Sequence, residues 1–504
     1  MLKNIIANAL GRFWSILSNF LFIPLYIYFL GVESYSIISL TLVIVGLLAV
    51  LDSGLTATLS REFASSENSP EDKIKVFNTL ETCYFAVAII IMAIVFVSAD
   101  FIANEWINLK DISEHKVSYY LKIISVSIGF EFLSKFYIGG MLGLEKQVRA
   151  NTLLISWGIL RNGAVVILLY FYQSLEVFFV WQTIITTIYV LILRFQILKL
   201  IGISKRDFFS LKIYKSVLKK VWKFASGMLL ISLVAGLNSQ MDKLAISNIL
   251  SIENLGYYTA AVALTYSLVT ITTTISAAIL PRLTKLYTNN NRKKGALLFY
   301  RAYKYVIIIV FSFAFTIAFN SKSILWIWTQ NKEIVNNAYH IVSIMSAAMA
   351  MLALAIIPFN IAIANGYTKL NNYIGIASLL ITIPGYWIFA NKYGAIGAAS
   401  VFCAVQIIIT LIYTHIINLK FLRLVSTQNI FLNFFIYPGL LITLITFGFK
   451  SIPVFFDSRL LQLLWLGIGV FVPLLISFYI FLTRTEKLIF YTKFRILKNK
   501  LPWI

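Results

Sequence analysis

The chain has 504 residues, of which 60% are hydrophobic and only 12% charged, and its mean hydropathy of +0.84 excludes an ordinary soluble domain. Its formal charge is +23, but the basic residues gather in alternate loops, which leaves nucleic acid a poor explanation. Cys83 and Cys403 both fall inside apolar stretches, as small buried residues, so no disulfide is expected.

Apolar stretches of roughly 20 residues, enough to cross a hydrocarbon core about 30 Å thick, recur from end to end. Breaks at glycine, proline and charge clusters predict spans near 5–30, 34–58, 79–99, 117–143, 152–172, 177–198, 224–248, 255–280, 302–319, 338–364, 372–390, 396–418, 432–449 and 460–483, about fourteen helices. A closed β-barrel does not fit, because barrel strands alternate in polarity and "VAIIIMAIVFVSA" is apolar all round. At the N-terminus "ANA", Ala7 to Ala9, comes too early for signal cleavage, so the first span is expected to stay attached.

Lys3 and Arg12 open the first span, and the even-numbered breaks on that same side hold most of the 43 basic residues. The 199–223 loop alone has Lys199, Lys205, Arg206, Lys212, Lys215, Lys219, Lys220 and Lys223. Arg282 to Lys304 and the tail from Arg484 to Lys500 continue the bias. Positive-inside placement makes both termini cytoplasmic and puts the basic loops near anionic lipids.

The two halves echo one another: "ALGR", Ala9 to Arg12, opens the first span as "ASGM", Ala225 to Met228, opens the seventh. "FLG" ending at Gly31 and "NLG" ending at Gly256 then precede the second and eighth spans. Six spans separate the copies, so both enter from one side, the parallel type of repeat. The expected fold is an all-α polytopic membrane protein: a six-helix lobe at 1–198, a basic linker at 199–223, a second six-helix lobe at 224–418, and two extra helices with a basic tail at 419–504.

Ionisable residues inside spans are functional candidates, since each costs about 2.5–3.5 kcal/mol at mid-bilayer. Arg12, Asp52, Glu81, Lys122, Glu131, Lys135 and Arg161 lie in the first five spans, and Asp242 with Lys243 in the seventh. Glu131 and Lys135, four residues apart and about 40° apart around the helix, are expected to pair. Arg161 and Lys135, fourteen and twelve residues from the loop at Gln147, share a depth, so two cations meet one carboxylate there. With Arg12 and Lys122, three cations stay unmatched, at roughly 8–10 kcal/mol if left in lipid. Snorkelling suits Lys122 and is open to Arg12, but suits Arg161 poorly. A cluster of cations in a hydrated cleft points to an anionic substrate, and pyrophosphate fits Arg and Lys chemistry. Asn238, Ser239, Gln240 and the hydroxyls from Thr265 to Ser276 suit a sugar, although joining helices is their more ordinary role.

"LDSGLTATLSREFA" resembles the "D-x-G…R" end of the second helix in Wzx-type O-antigen flippases, a branch of the superfamily that also holds multidrug exporters and lipid II flippases. "MDKLAISNILSIENLGYYTAAVAL…AAILPRL" is similar to the family's run across spans seven and eight, here Asp242, Lys243, Gly256, Tyr257, Ala260 and Pro281. One departure is Thr56, where the family has a second glycine. The resemblance implies a flippase of the bacterial inner membrane, moving an undecaprenyl-pyrophosphate-linked oligosaccharide outward by alternating access, alongside a polysaccharide polymerase and a chain-length regulator. It also implies a cation-lined cavity, in which Arg12 takes the place of the first-helix arginine of lipid II flippases. Substrate binding is expected at Arg12, Lys122, Lys135 and Arg161. Gating or coupling is expected at Asp52, Arg61, Glu131 and Asp242. Asp52 and Arg61 read either as a charge pair at the cytoplasmic mouth or as a helix-end cap with an interfacial arginine. Asp242 and Lys243 diverge by about 100° around the helix, which leaves the acid less firmly paired and a candidate to sense a driving cation.

A drug exporter of the same fold calls for an acidic cavity, the reverse of this one. A membrane glycan polymerase or glycosyltransferase needs a sizeable outer loop, and a metal or triad needs a spacing that His115, His340 and His415 lack. No enzyme activity and no cofactor are expected. A scaffold of the synthesis machinery has little use for buried cations.

Overall fold

The computed structural model describes residues 2–65, 69–202, 212–367, 369–452, 458–482 and 486, without the side chains of residues 2–10, 12, 13, 15, 16, 19, 53–55 and 220–231. Ten helical stretches are long and apolar enough to cross a membrane. Two of them are parted by a glycine with positive φ, Gly31 at 80° and Gly394 at 64°, a backbone that L side chains rarely adopt. Glu114–Gly143 and Lys215–Ile249 are as long but stand outside the ten. Fourteen long helices thus follow one another among the described residues.

In chain order they are α1 (2–30), α2 (32–64), α3 (Pro70–Phe101), α4 (Glu114–Gly143), α5 (Gln147–Tyr172), α6 (Leu175–Ile201) and α7 (Lys215–Ile249). Then come α8 (Ile252–Thr288), α9 (Arg292–Phe319), α10 (Lys332–Ala364), α11 (369–393), α12 (395–422), α13 (Thr427–Lys450) and α14 (Arg459–Phe481), with a short helix Ser321–Thr329 between α9 and α10. The ends follow local chemistry. Ser69 caps α3 by accepting from the Asp72 N–H, with Pro70 as the first helical residue, and α6 stops at Gly202 in the left-handed region.

Close packing divides the chain into two compact units. The first holds Met1–Ala263, Thr329–Ala338 and Asn372–Val401, and the second Leu264–Trp328, Tyr339–Asn371 and Phe402–Ile504. Their boundaries fall inside α8, the short helix Ser321–Thr329, α10, α11 and α12. The first unit has an aromatic core between α3 and α4, where the Tyr84 ring lies 4.5 Å from Phe136 and 4.9 Å from Phe132. In the second, Tyr303 packs 5.0 Å from Phe299 and bonds Thr414 at 2.9 Å, while Tyr300 donates to Asn418 at 2.7 Å. Rows of exposed apolar residues, such as Ile89, Ile90 and Val97 on α3 or Leu440, Leu444 and Phe447 on α13, face outward, as in proteins solvated by lipid.

Within the first unit the 107–113 loop is tied down at both ends. The buried Glu33 carboxylate accepts the backbone N–H of Lys110, Asp111 and Ile112 at 2.8, 3.1 and 3.2 Å. Asn108 pairs strand-like with Ser251, and its side chain donates to the carbonyls of Asn248 and Leu250 at 3.2 Å. Lys110 forms an ion pair with Glu253, whose hydrogen bond and charge raise the lysine above its ordinary range. Gly256 departs from the sequence reading: α8 already starts at Ile252, so this glycine lies inside the helix, where a Cβ would stand 2.1 Å from Ser36 Oγ of α2.

Candidate functional site

A polar cluster inside the first unit is built around an irregularity in α5. Six residues, Ile159–Ala164, form a π-helical turn with Arg161 and Asn162 at its centre. Such a turn opens the α-helical hydrogen-bond ladder, and in lipid the released carbonyls need other donors. Three side chains supply them. The Trp181 indole donates to Leu160 O at 2.9 Å, the Gln182 amide to Arg161 O at 3.1 Å, and the Tyr26 hydroxyl to Asn162 O at 3.1 Å. Asn162 in turn donates to Ser18 at 2.8 Å.

The Arg161 side chain is held on three sides. Its Nε donates to the Gln182 carbonyl oxygen, its guanidinium lies 4.8 Å from the centre of the Trp157 ring, and Nη2 meets Glu131 Oε2 of α4 at 3.1 Å. Trp157 stacks on Tyr189 at 4.8 Å, which steadies the platform. Arg161 and Glu131 are 16% and 17% exposed, enough for a polar ligand to reach them.

This arrangement corrects one sequence expectation. Glu131 pairs with Arg161 across two helices and not with Lys135 along one, because the bonds to Gln182 and Trp157 preorganise the guanidinium fork over the carboxylate. Lys135, half-buried one turn further on α4, pairs with no carboxylate among the described residues.

The other candidates sit elsewhere. Lys122 is not an unmatched cation: it bonds Asp100 of α3 at 2.8 Å. Thirteen residues of helix put it about 20 Å from Lys135, too far for one pyrophosphate to span. Arg12 lies on α1, with its side chain outside the described residues. Asp52 does not pair with Arg61, since nine residues of helix separate them by about 13 Å. Its carboxylate lies within hydrogen-bond reach of the hydroxyls of Thr56 and of Tyr84 of α3, which are themselves 2.6 Å apart, so the two protons are shared around a polar triangle. Arg61 lies exposed in the last turn. Asp242 is more firmly held than its spacing suggests: Tyr258 donates to it at 2.7 Å, the Lys243 N–H at 2.9 Å, and the Lys243 ammonium, folding back, lies at 3.4 Å.

One buried pair escaped the sequence reading. Arg194 of α6 donates to Glu81 of α3 at 2.8 Å, and Tyr137 of α4 donates to the same carboxylate at 2.8 Å. With Glu81 1% exposed, three helices are fastened there. Nor do the sugar-suited residues lie free. Asn238 is engaged with Ser378 at 2.5 Å and Gly375 O at 3.1 Å, and Thr270, Thr272 and Thr274 bond back to carbonyls of their own helix.

The chain matches the family described as "Polysaccharide biosynthesis protein" over residues 1–287 and the MatE family over residues 228–388. A Shigella flexneri protein named "Putative O-antigen transporter" is 23% identical over 389 residues, 73% of this chain and 86% of that one. The solved structure of the lipid II flippase MurJ in an inward closed conformation superposes with a TM-score of 0.72 at 18% identity, covering 95% of this chain and 99% of the other. An inward-facing multidrug resistance transporter of the MATE family, in the MOP superfamily, gives 0.66 at 12% identity, over 81% and 94%. The multi-pass helical fold is therefore that of the MATE and MurJ transporters. With more than half of its length matched, the chain belongs to the polysaccharide biosynthesis protein family.

Proposed function

We propose that the protein is a flippase for an undecaprenyl-pyrophosphate-linked oligosaccharide, carried by alternating access across a bacterial inner membrane for surface polysaccharide synthesis. The observation that carries this reading is the Arg161–Glu131 pair one turn from Lys135, which pairs with no carboxylate among the described residues, set in a member of this family. The Shigella flexneri relative's name and the likeness to a lipid II flippase support the substrate class. Fourteen crossings, with both termini on the cytoplasmic side and two six-helix lobes at 1–198 and 224–418, accord with the basic loops. Anionic lipids meet those loops, and a polymerase and a chain-length regulator take up the product.

In this reading Lys135 receives the pyrophosphate first. A dianionic group then competes with Glu131 for Arg161, whose planar fork serves phosphate as well as carboxylate. Glu131, released from its partner, is left as a carboxylate free to take a proton or sodium ion, so that substrate binding and cation binding are linked. In the same reading Arg12 serves as a further phosphate ligand and Asp242 as a second cation-sensing acid. The test is flipping of a fluorescently labelled lipid-linked glycan in proteoliposomes. Wild-type protein should move it and the double variant Lys135→Ala/Arg161→Ala should not. Equal rates with protein-free liposomes would sink the proposal.

A further inference from the structure

Within the second unit, a cavity of about 840 Å³ opens where the end of α9, the short helix Ser321–Thr329, the start of α10, the end of α13 and the start of α14 meet. Pockets for drug-sized ligands run from about 300 to 1,000 Å³, so the space suits two or three sugar rings. Lys322, Lys450 and His340 line it together with Trp326, Trp465 and Tyr339, and no carboxylate is among its lining residues. Neither lysine pairs with a carboxylate among the described residues.

Lysines often do no more than offset a helix C-terminus, and Lys450 in the last turn of α13 fits that account. Lys322 does not. It stands in the first turn of its helix, where a cation opposes the helix dipole, and its ammonium is steadied 4.2 Å from the centre of the Tyr339 ring. The aromatic rings are built in as well: Trp465 stacks on Phe449 at 4.3 Å, which holds its plane, and Trp326 is 36% exposed. Flat apolar faces beside ammonium groups suit a pyranose that carries an acid, with Gln462 of α14 as a polar neighbour for hydroxyls.

We infer that this cavity is a second glycan site, on the side opposite the basic loops, which takes a saccharide bearing a carboxylate or phosphate. It rests on the proposed reading of the chain as a glycan flippase, and it gives α13 and α14, which lie outside the predicted duplication, a direct part in handling the cargo. The shared chemistry of an anionic polyol also belongs to phosphatidylglycerol headgroups, and the test separates the two.

The experiment is calorimetric titration of the full-length protein in phosphatidylcholine nanodiscs with a disaccharide containing one uronic acid and with its neutral counterpart. The acidic sugar is expected to bind about tenfold more tightly, the scale of one charge-assisted contact. Lys322→Gln/Lys450→Gln should remove that preference, the double arginine variant should keep it, and Trp326→Ala should weaken both sugars. Equal affinity for the two sugars, or a preference untouched by the glutamine variant, would overturn the inference. So would acidic-sugar binding that disappears when phosphatidylglycerol is added to the discs, which would assign the site to lipid. Arg161→Ala should bind the sugar normally while failing to flip. Sugar binding by a wild type that flips nothing would leave this site standing and remove the proposed function instead.

Discussion

Gly139 of α4 lies so close to Thr56 of α2 that a Cβ built on the glycine would stand 2.2 Å from the threonine Cγ2. Thr56 is the residue that replaces the family's second glycine, and the room it needs is supplied by the facing helix. Gly139→Ala should therefore destabilise the protein by about 1–3 kcal/mol, the usual cost of overpacking. Thr56→Ser added to it, which removes the clashing Cγ2 and keeps the hydroxyl beside Asp52 and Tyr84, should recover most of that loss in thermal unfolding. If the two costs simply add, the proposed compensation is absent.

Arg161 is expected to be essential and its shape to matter. Arg161→Ala should abolish flipping, and Arg161→Lys should retain only a small part of it, since an ammonium cannot make the fork to Glu131 and the bond to Gln182 together. Normal rates for Arg161→Ala at normal expression would remove it from the site.

Glu81 and Arg194 form a buried pair whose halves should be costly to lose singly. Glu81→Ala or Arg194→Ala should each cost about 3–5 kcal/mol, and the double variant should be milder than the worse single. Chemical denaturation in detergent gives the comparison. A double variant at the sum of the singles would show that the two residues act independently.

Asp242→Asn and Glu131→Gln test cation coupling. Under an imposed proton or sodium gradient, at least one of them is expected to flip at a rate that no longer responds to the gradient, whereas the wild type responds. Wild-type gradient dependence in both variants would dismiss these acids as sensors.

Glu33 should hold the 107–113 loop through its three backbone bonds. Glu33→Ala is expected to lower hydrogen-exchange protection at Lys110, Asp111 and Ile112 by at least about tenfold, as charge-assisted bonds are worth about 1.5–3 kcal/mol each. Unchanged protection would mean that Asn108 and Lys110 fasten the loop without it.

Uniformly apolar stretches and a basic bias by loop make the helical membrane fold legible in the amino-acid order itself, and counting from the Gln147 loop brings Arg161 and Lys135 to one depth. The partner of Glu131 is not legible there, for a physical reason. An i,i+4 neighbour is visible along a sequence, whereas a bond between helices depends on how each is rotated, and the π-helical turn changes that rotation. Arg194 is hidden differently, a few residues from the basic 199–223 loop, where it passes for one more member. A lone carboxylate at Glu81 is the available signal, because a buried acid requires a partner at matching depth. Thr56 is readable as a departure, but only packing reveals Gly139 opposite it.

The turn at Ile159–Ala164 accommodates one residue more than an α-helix of the same rise, so the two halves of α5 follow separate wheels. Removing a single residue there, without touching Arg161, would restore a regular helix and leave the residues beyond it facing nearly as before, while those inside the turn would point elsewhere. Val165 and Leu169, fully buried, would stay against their neighbours, whereas Tyr26, Trp181 and Gln182 would lose the carbonyls they serve. The length of this helix, counted to the residue, is thus as much a part of the binding site as any side chain in it.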